Sequence, residues 1–277
     1  MSHIAPGGWD CHAHVFGPYA AYPLAENRSY TPPEATLDTY LAMLARLGLS
    51  RGVLVQATAY GPDHSLLFDV LEQAPTLRGV MVARPHEWAH RLGGTRLPEG
   101  LKAARFSHRS GAGGNFAGSA SFDDLQQMAG SLADAGLHAE LWTDCVALSD
   151  IAPLIAKLPV PVVIDHMGMF DVSKGLSDKG FQTLLRLLEG GKVWMKLCAY
   201  RNLGNAITDE GFELAKPFHS AMLEANPDQL VWGSDWPHLR VNPVPDAAQL
   251  LDAFHRWTND AALTKKILVS NPARLYG

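Results

Sequence analysis

The sequence has few cysteines, no long apolar run and no excess of positive charge. Its 277 residues include three cysteines, an odd number spread widely along the chain, so no disulfide framework is predicted. We interpret Cys11 and Cys198, which lie in strand-like runs, as small buried residues, and the low cysteine content is typical of a reducing cytoplasm. No apolar run approaches the ~18 residues of a membrane helix, and no basic stretch precedes an apolar one near residue 1. We therefore expect no membrane span and no secretory leader.

The charge balance excludes a further class of partner. The net charge is −5, whereas a nucleic-acid-binding surface is basic and clustered. We therefore expect a small-molecule ligand and no nucleic acid, and the sequence leaves the oligomeric state open.

Short apolar segments alternate with helical patterns along the whole chain. Eight segments read as strands covered by helices, because each is a nearly continuous apolar run. They are Gly8–Phe16, Gly52–Ala57, Gly79–Ala83, Ala103–Phe106, His138–Trp142, Val160–Asp165, Val193–Leu197 and Leu230–Trp232. Eight strand–helix units predict an α/β protein with a (β/α)8 TIM barrel, open to distortion, as one domain over residues 1–277.

A doubly wound open sheet is the competing fold. It would place a Gly-x-Gly-x-x-Gly turn directly after the first strand, and this chain has none there. The glycine-rich run Gly111–Gly118 follows the fourth strand instead. We predict that it forms a mobile loop near the barrel mouth, with closure over a substrate as the sharper hypothesis.

A His-x-His pair ends the first strand. His12 and His14 should point the same way, because side chains on a strand alternate with period two. Two converging imidazoles form either half of a metal site or a pair of groups aimed at a substrate oxygen. The pair alone does not decide between these, and an ordinary surface position is the third interpretation.

Other strands end in polar residues as well. His166 follows the sixth strand and Asp235 the eighth, while Arg105, Glu140 and Arg201 lie at the ends of the fourth, fifth and seventh. In a barrel of this kind the chemistry takes place at the carboxyl ends of the strands. Polar groups after long apolar runs are costly unless they have partners or a task. The convergence of several on one rim predicts an active site.

These residues carry a family resemblance. The segments Asp10–Gly17, Val163–Gly168 and Trp232–His238 resemble the amidohydrolase superfamily. The Arg28–Pro33 segment, with Tyr-Thr-Pro-Pro, is similar to the branch that contains 2-pyrone-4,6-dicarboxylate lactonase. The resemblance covers nearly the whole chain and implies hydrolysis of that lactone or a related one in aromatic catabolism.

The resemblance also implies roles for the rim residues. Asp235 is the implied general base for water, and His12, His14 and His166 surround the lactone carbonyl and stabilise its oxyanion. That lactonase works without a divalent metal, so no cofactor is expected here. In the alternative, one zinc or manganese ion is held by four ligands, which are His12, His14, His166 and Asp235.

An anionic substrate implies cations around the pocket. Arg105 and Arg201 match the expected positions, and Tyr30 matches a substrate-contacting tyrosine. The family's second cation lies about six residues after the first, whereas here the candidates for that role are Arg109 and His108, at a shorter spacing. This changed spacing leaves room for another lactone, such as a sugar-acid lactone or a muconolactone.

Several assignments stay open. His238 either contacts substrate or orients Asp235, and we interpret Glu140 as a hydrogen-bonded supporting residue. Asp165 is expected to be structural, because strand alternation points it away from His166. A related decarboxylase and a non-catalytic binding barrel remain alternatives to the lactonase, and CO₂ release or tight binding without turnover would favour them.

Overall fold

The strands form one barrel-like sheet in chain order. The computed structural model describes residues 7–92, 97–111, 114–204 and 207–277. Each strand pairs in parallel with the next one along the chain. The strands are β1 Trp9–Ala13, β2 Arg51–Val55, β3 Leu77–Met81, β4 Leu101–His108, β5 His138–Thr143, β6 Val162–Ile164, β7 Val193–Leu197 and β8 Leu230–Trp232. Every predicted strand overlaps one of these, and the (β/α)8 barrel is confirmed.

The seam of the barrel lies between β8 and β1, and it is joined above the end of β8. The backbone N–H of Asp235 donates to the His12 carbonyl at 2.7 Å, and His14 donates to Trp236 at 2.8 Å. The pairing of β1 with β2 also shifts register between Asp10 and Ala13. These features bring the His-x-His segment and the segment after β8 side by side.

Helices cover the outside of the sheet. They are α1 Leu37–Leu47, α2 Ser65–Gln73, α3 Pro85–Leu92, α4 Phe122–Asp134, α5 Cys145–Ile155, α6 Lys179–Glu189, α7 Asp209–Glu213, α8 Lys216–Ala225, α9 Ala247–Thr258, α10 Ala261–Lys265 and α11 Asn271–Tyr276. None of the helices in the described residues is long and apolar enough to cross a bilayer.

Two helix starts differ from the sequence predictions. The Thr-x-x-Glu pattern of Thr31–Glu34 predicts a capping box before the first helix, but α1 begins later, at Leu37, after an extended Thr36. Residues that precede a proline avoid the helical region, which applies to both Thr31 and Pro32. The pattern of residues 211–225 predicts one helix, but the chain forms two there, because Pro217 lacks the N–H that a continuous helix needs and stands in the first turn of α8.

The core has two layers. A small apolar cluster fills the inside of the barrel at its amino end, including Trp9, Val53, Val231 and Tyr276. A larger cluster lies between the strands and the helices. The apolar filling gives way to charged and imidazole groups toward the carboxyl ends of the strands, and these groups are themselves buried.

Candidate active site

Asp235 stands at the centre of the carboxyl rim. It directly follows the β8 end and has a left-handed backbone with φ of 57°. Its Oδ2 oxygen accepts hydrogen bonds from the Tyr200 hydroxyl at 2.5 Å and from Arg201 Nε at 2.6 Å. Its Oδ1 oxygen is buried and has no hydrogen-bond partner among the described residues. One oxygen is therefore committed to the fold and the other is available for chemistry.

Three imidazoles surround this carboxylate. His12 Nε2 and His14 Nε2 lie 3.6 and 3.4 Å from Oδ1, and His166 Nε2 lies 3.5 Å from Oδ2. The rings of His12 and His166 have centroids 4.7 Å apart. The structure thus brings together the four residues that the sequence predicts as catalytic.

The carboxyl of Asp235 is held in its ionised form. Burial alone would raise its pKa, but the neighbouring Arg201 guanidinium holds the pKa well below its usual range. Burial also lowers the pKa of His166, despite the nearby Asp235 carboxylate. At neutral pH the site therefore combines a carboxylate with an uncharged His166.

His14 has a fixed proton position. Its Nδ1 lies 2.7 Å from the Val55 carbonyl, which can only accept, so Nδ1 must carry the proton. In the neutral ring Nε2 is then a lone pair that faces the free oxygen of Asp235. The resemblance implies that His14 donates to an oxyanion, whereas this geometry makes its Nε2 an acceptor.

His12 is in a different environment, above four charged side chains that we call the buried ion network. The network consists of Lys196, Glu140, Asp165 and Arg105. His12 Nδ1 lies 3.1 Å from Lys196 Nζ and 3.2 Å from Asp165 Oδ1. Burial and the neighbouring Lys196 lower the pKa of His12 to about 3, so the ring is neutral at physiological pH.

Asp165 is part of this network, contrary to the expectation that it points away from the site. Its Oδ2 accepts from Arg105 Nε at 2.8 Å, and its Oδ1 lies beside His12. The alternation argument fails because β6 ends at Ile164. The chain then turns through His166 and Met167 with positive φ, so strand geometry no longer applies.

The two arginines predicted to bind substrate are partly engaged already. Arg105 directs Nε and Nη2 to Asp165, and Arg201 directs Nε to Asp235 and Nη1 to the Leu239 carbonyl. Within the described part of the chain, Arg105 Nη1 and Arg201 Nη2 make no hydrogen bond. Each arginine therefore keeps one nitrogen free for a ligand while it binds a buried carboxylate.

The mouth of the site is lined by cations on aromatic rings. Arg109 lies 4.4 Å above the Trp142 ring, and Arg240 lies 4.5 Å above Phe116. Phe116 also contacts Trp142 and Tyr30, with centroids 4.9 and 5.4 Å apart. We call Arg109 and Arg240 the mouth arginines. Neither has a carboxylate within 4 Å among the residues that the structure describes.

Arg109 lies close to other cations. Burial lowers the pKa of Arg109, and so do the charges of Arg240, Arg201 and Arg105, although Asp144 opposes them. Burial raises the pKa of the Tyr30 hydroxyl, on which Arg105, Asp235 and Arg201 also act. Tyr30 therefore lies near Arg105, Arg201 and Asp235, and Arg109 lies near Arg105 and Arg201.

The remaining predictions concern His238 and the glycine-rich loop Gly111–Gly118. His238 is buried beside Tyr200, and its backbone N–H donates to the Asp235 carbonyl at 2.9 Å. Burial lowers the pKa of His238 to about 4. In the loop predicted at Gly111–Gly118, residues 112–113 lie outside the described residues, while the Ala117 N–H donates to Ser29 Oγ at 2.8 Å.

Three contributing residues were not predicted. Lys196 interrupts an otherwise apolar strand, and a lone charge in such a run is a signal that could have marked it. Tyr200 precedes Arg201 directly, so it shares the end of β7 with a predicted residue. Arg240 is exposed in the loop after β8, and no pattern in the sequence distinguishes it from an ordinary surface arginine.

The central group fits a divalent metal by donor type. His12, His166 and Asp235 offer ligand atoms that lie within 4.8 Å of one another. His12 Nε2, His166 Nε2 and Asp235 Oδ1 are buried and lack hydrogen-bond partners among the described residues. Imidazole nitrogen and carboxylate oxygen are zinc ligands. A second group, His12, Glu140 and Asp165, already surrounds the Lys196 ammonium.

Curated proteins similar over almost the whole length act on lactones by name. A 4-sulfomuconolactone hydrolase of Rhizobium radiobacter is 35% identical, with 99% of this chain and 91% of that protein covered. A 2-pyrone-4,6-dicarboxylate hydrolase of Comamonas testosteroni is 31% identical, with the same coverage.

Solved structures share the fold. A probable 2-pyrone-4,6-dicarboxylic acid hydrolase of Acinetobacter baumannii, with citric acid bound, superposes with a TM-score of 0.81. It is 26% identical, and 98% of this chain and 99% of that chain are covered. An amidohydrolase of Burkholderia multivorans with bound zinc is 18% identical with a TM-score of 0.76, which speaks for the fold alone. The match covers 98% of this chain and 99% of the Burkholderia chain.

The family model described as Amidohydrolase matches residues 9–277, which include every residue of the site. With the relatives of 31% and 35% identity, this shows the family. The chain belongs to the amidohydrolase family.

Proposed function

We propose that this protein hydrolyses a lactone that carries two anionic groups. The observation that carries the proposal is the free Oδ1 oxygen of Asp235, a buried carboxylate oxygen that faces two imidazoles and has no other partner in the described residues. A permanently ionised carboxylate in a closed site can take a proton from water as the water attacks a carbonyl.

The imidazoles near Asp235 have different roles in this proposal. The lone pair of His14 Nε2 and Asp235 Oδ1 are both acceptors and lie 3.4 Å apart, so one water molecule can donate a hydrogen to each. The water oxygen forms the new bond to the lactone carbonyl carbon while Asp235 takes its proton. The ring C–O bond then breaks, and Asp235 returns the proton to the leaving oxygen. His12 and His166 face the carbonyl oxygen, where a hydrogen-bond donor stabilises developing charge.

The cations around the site support an anionic substrate. Arg105 Nη1 and Arg201 Nη2 are free beside the carboxylates of Asp165 and Asp235, and the mouth arginines lie on the aromatic rings. Guanidinium groups bind carboxylates and sulfonate-like oxyanions through charge-assisted hydrogen bonds. The names of the relatives, a pyrone dicarboxylate hydrolase and a sulfomuconolactone hydrolase, are consistent with this distribution.

We propose further that the reaction needs no metal. If one divalent ion is bound, His12, His14, His166 and Asp235 would hold it, and it would polarise the carbonyl as a Lewis acid. A reducing cytoplasm and a role in aromatic breakdown complete the proposal, and the three free, buried cysteines are consistent with that compartment.

A hydrolysis screen tests the proposed function. The panel comprises 2-pyrone-4,6-dicarboxylate, 4-sulfomuconolactone, an unsubstituted muconolactone and a sugar-acid lactone, each with and without chelator. We expect turnover of a dianionic lactone with release of acid, unchanged by chelation. Release of CO₂ would indicate a decarboxylase instead. Activity lost on chelation and restored by zinc would contradict metal independence, and no hydrolysis of any lactone would contradict the function itself.

A further inference from the structure

Lys196 is the least expected residue of the site. It is the fourth of the five residues of β7, is fully buried, and points to the barrel interior, where side chains are normally apolar. Its ammonium donates to Glu140 Oε2 at 2.5 Å and lies 3.3 Å from Asp165 Oδ1. With Arg105 on the other oxygen of Asp165, the network balances two positive against two negative groups. The lysine therefore has the carboxylates it needs to remain an ammonium.

The Lys196 ammonium restricts the tautomer of a third neighbour, His12. Lys196 Nζ lies 3.1 Å from His12 Nδ1 with hydrogen-bond geometry. An ammonium has donors and no acceptor, so Nδ1 must supply a lone pair. Asp165 Oδ1 is also 3.2 Å from that nitrogen, but among the described residues it makes no hydrogen bond. The geometry therefore assigns Lys196, and not Asp165, as the partner of His12.

We propose that Lys196 is a positioning residue that holds His12 in the tautomer with its proton on Nε2. Nε2 has no other partner in the described part of the chain and points to Asp235 Oδ1 at 3.6 Å. His12 then presents a hydrogen-bond donor to the reacting centre rather than the lone pair that a metal ion requires. The two histidines of the His-x-His pair thus have opposite tautomers, since His14 carries its proton on Nδ1.

The role of the His12 tautomer in catalysis rests on the proposed function. The tautomer assignment itself rests only on the hydrogen-bond geometry. His12 supplies the proton that an oxyanion needs, and His14 supplies the acceptor that a water needs. A metal-binding pair would require unprotonated Nε2 atoms on both rings. Lys196 therefore determines whether His12 can donate a hydrogen bond or bind a metal ion.

Nitrogen-15 NMR of the purified protein, labelled at histidine, tests the proposal without turnover. The His12 signals are assigned with His12→Gln, and metal content is measured on the same sample. We expect His12 to show unprotonated Nδ1 and protonated Nε2, and His14 the reverse pattern. A protonated Nδ1 on His12, or zinc bound through its Nε2, would overturn the proposal. Failure of the lactone screen would leave this result unaffected.

A charge-balanced double variant tests the cause. Lys196→Met with Glu140→Gln removes one charge of each sign, which leaves Asp165 as the polar neighbour of His12 Nδ1. We expect the proton to move to Nδ1 and zinc affinity, measured by titration calorimetry, to rise at least about 10-fold. Tyr276→Phe is the matched control, because it removes the 2.7 Å hydrogen bond to the other oxygen of Glu140 and leaves Lys196 in place. An unchanged tautomer in a folded double variant would overturn the role of Lys196, and if it does not fold the wild-type spectrum still decides the tautomer.

Discussion

Two sets of cations lie on opposite sides of Asp235, and they differ in whether neighbouring carboxylates neutralise them. Below it, Lys196 and Arg105 of the buried ion network contact Glu140 and Asp165 at 2.5 to 3.3 Å. Above it, the mouth arginines lie on aromatic rings, and no carboxylate in the described residues is within 4 Å. A buried charge without a partner would cost several kcal/mol, whereas a partly exposed one is stabilised by water.

This difference separates structural charge from recognition charge. The network is neutral as a whole and fixes the orientation and proton of His12, and only Nη1 of Arg105 remains free for a ligand. The mouth arginines have no protein anion to neutralise them, so their field extends into the pocket and favours an anionic molecule. Removal of a charge from the network should therefore lower stability, whereas removal of a mouth arginine should weaken substrate binding.

The largest effect is expected where the two regions meet. Asp235→Asn removes the base while its side-chain oxygen can still accept from Tyr200. We expect kcat to fall by about 10³- to 10⁴-fold, at the upper end of what general-base catalysis contributes. The affinity for a dianionic product should not weaken, because Arg201 loses its internal partner and stays available. Steady-state kinetics and calorimetric binding measure both, and near wild-type kcat would show that Asp235 is not the base.

Breaking the buried ion network should unfold the protein more than it changes recognition. Asp165→Asn leaves Arg105 and Lys196 with one carboxylate between them, and loss of one partner in a buried pair costs about 3–5 kcal/mol. Arg240→Ala, in the exposed mouth, should change stability by less than about 0.5 kcal/mol. Urea denaturation of both variants measures the contrast. Equal midpoints would show that the network does not stabilise the fold.

Acid should weaken the same network before it affects the mouth. Lys196 counteracts the effect of burial and lowers the pKa of Glu140 from 4.5 to about 2. The unfolded chain then binds more protons than the folded one in this interval, so stability is complete above pH 4.5 and is lost as pH falls toward 2. The shift corresponds to about 3 kcal/mol. Unfolding midpoints from pH 6 to 2 should fall less steeply in the Lys196→Met/Glu140→Gln double variant than in the wild type, and parallel curves would contradict this assignment.

The sequence predicts the region around Asp235 better than the regions above and below it. The apolar runs locate the strands because parallel strands covered by helices are apolar on both faces. Polar residues that directly follow those runs, such as His166 and Asp235, are then placed on one rim by topology alone. That inference needs no side-chain detail.

What the sequence does not predict depends on turns and on distances between side chains. The prediction for Asp165 is wrong because it extends the sixth strand through residue 165, whereas β6 ends at Ile164 and the chain then turns. The opposite hydrogen-bond partners of His12 and His14 come from Lys196 and Val55, which are 184 and 41 residues away along the chain. Arg240 is exposed and reaches Phe116 through a loop conformation with positive φ, for which the sequence gives no pattern.

Removal of a mouth arginine is expected to have the smallest effect, and only on binding. Arg109→Ala and Arg240→Ala should each raise KM for a dianionic lactone by about 10-fold with little change in kcat, since a hydrogen bond to a charged group contributes about 1.5–3 kcal/mol and exposure reduces this. A lactone with a single anionic group should be affected less. Arg256→Ala is the control, because Arg256 pairs with Glu213 on the surface at 3.4 Å. Added salt should raise KM of the wild type more than that of the double arginine variant. If both lactones respond alike, the mouth arginines do not recognise the second anionic group, and the separation between structural and recognition charge fails at this end of the site.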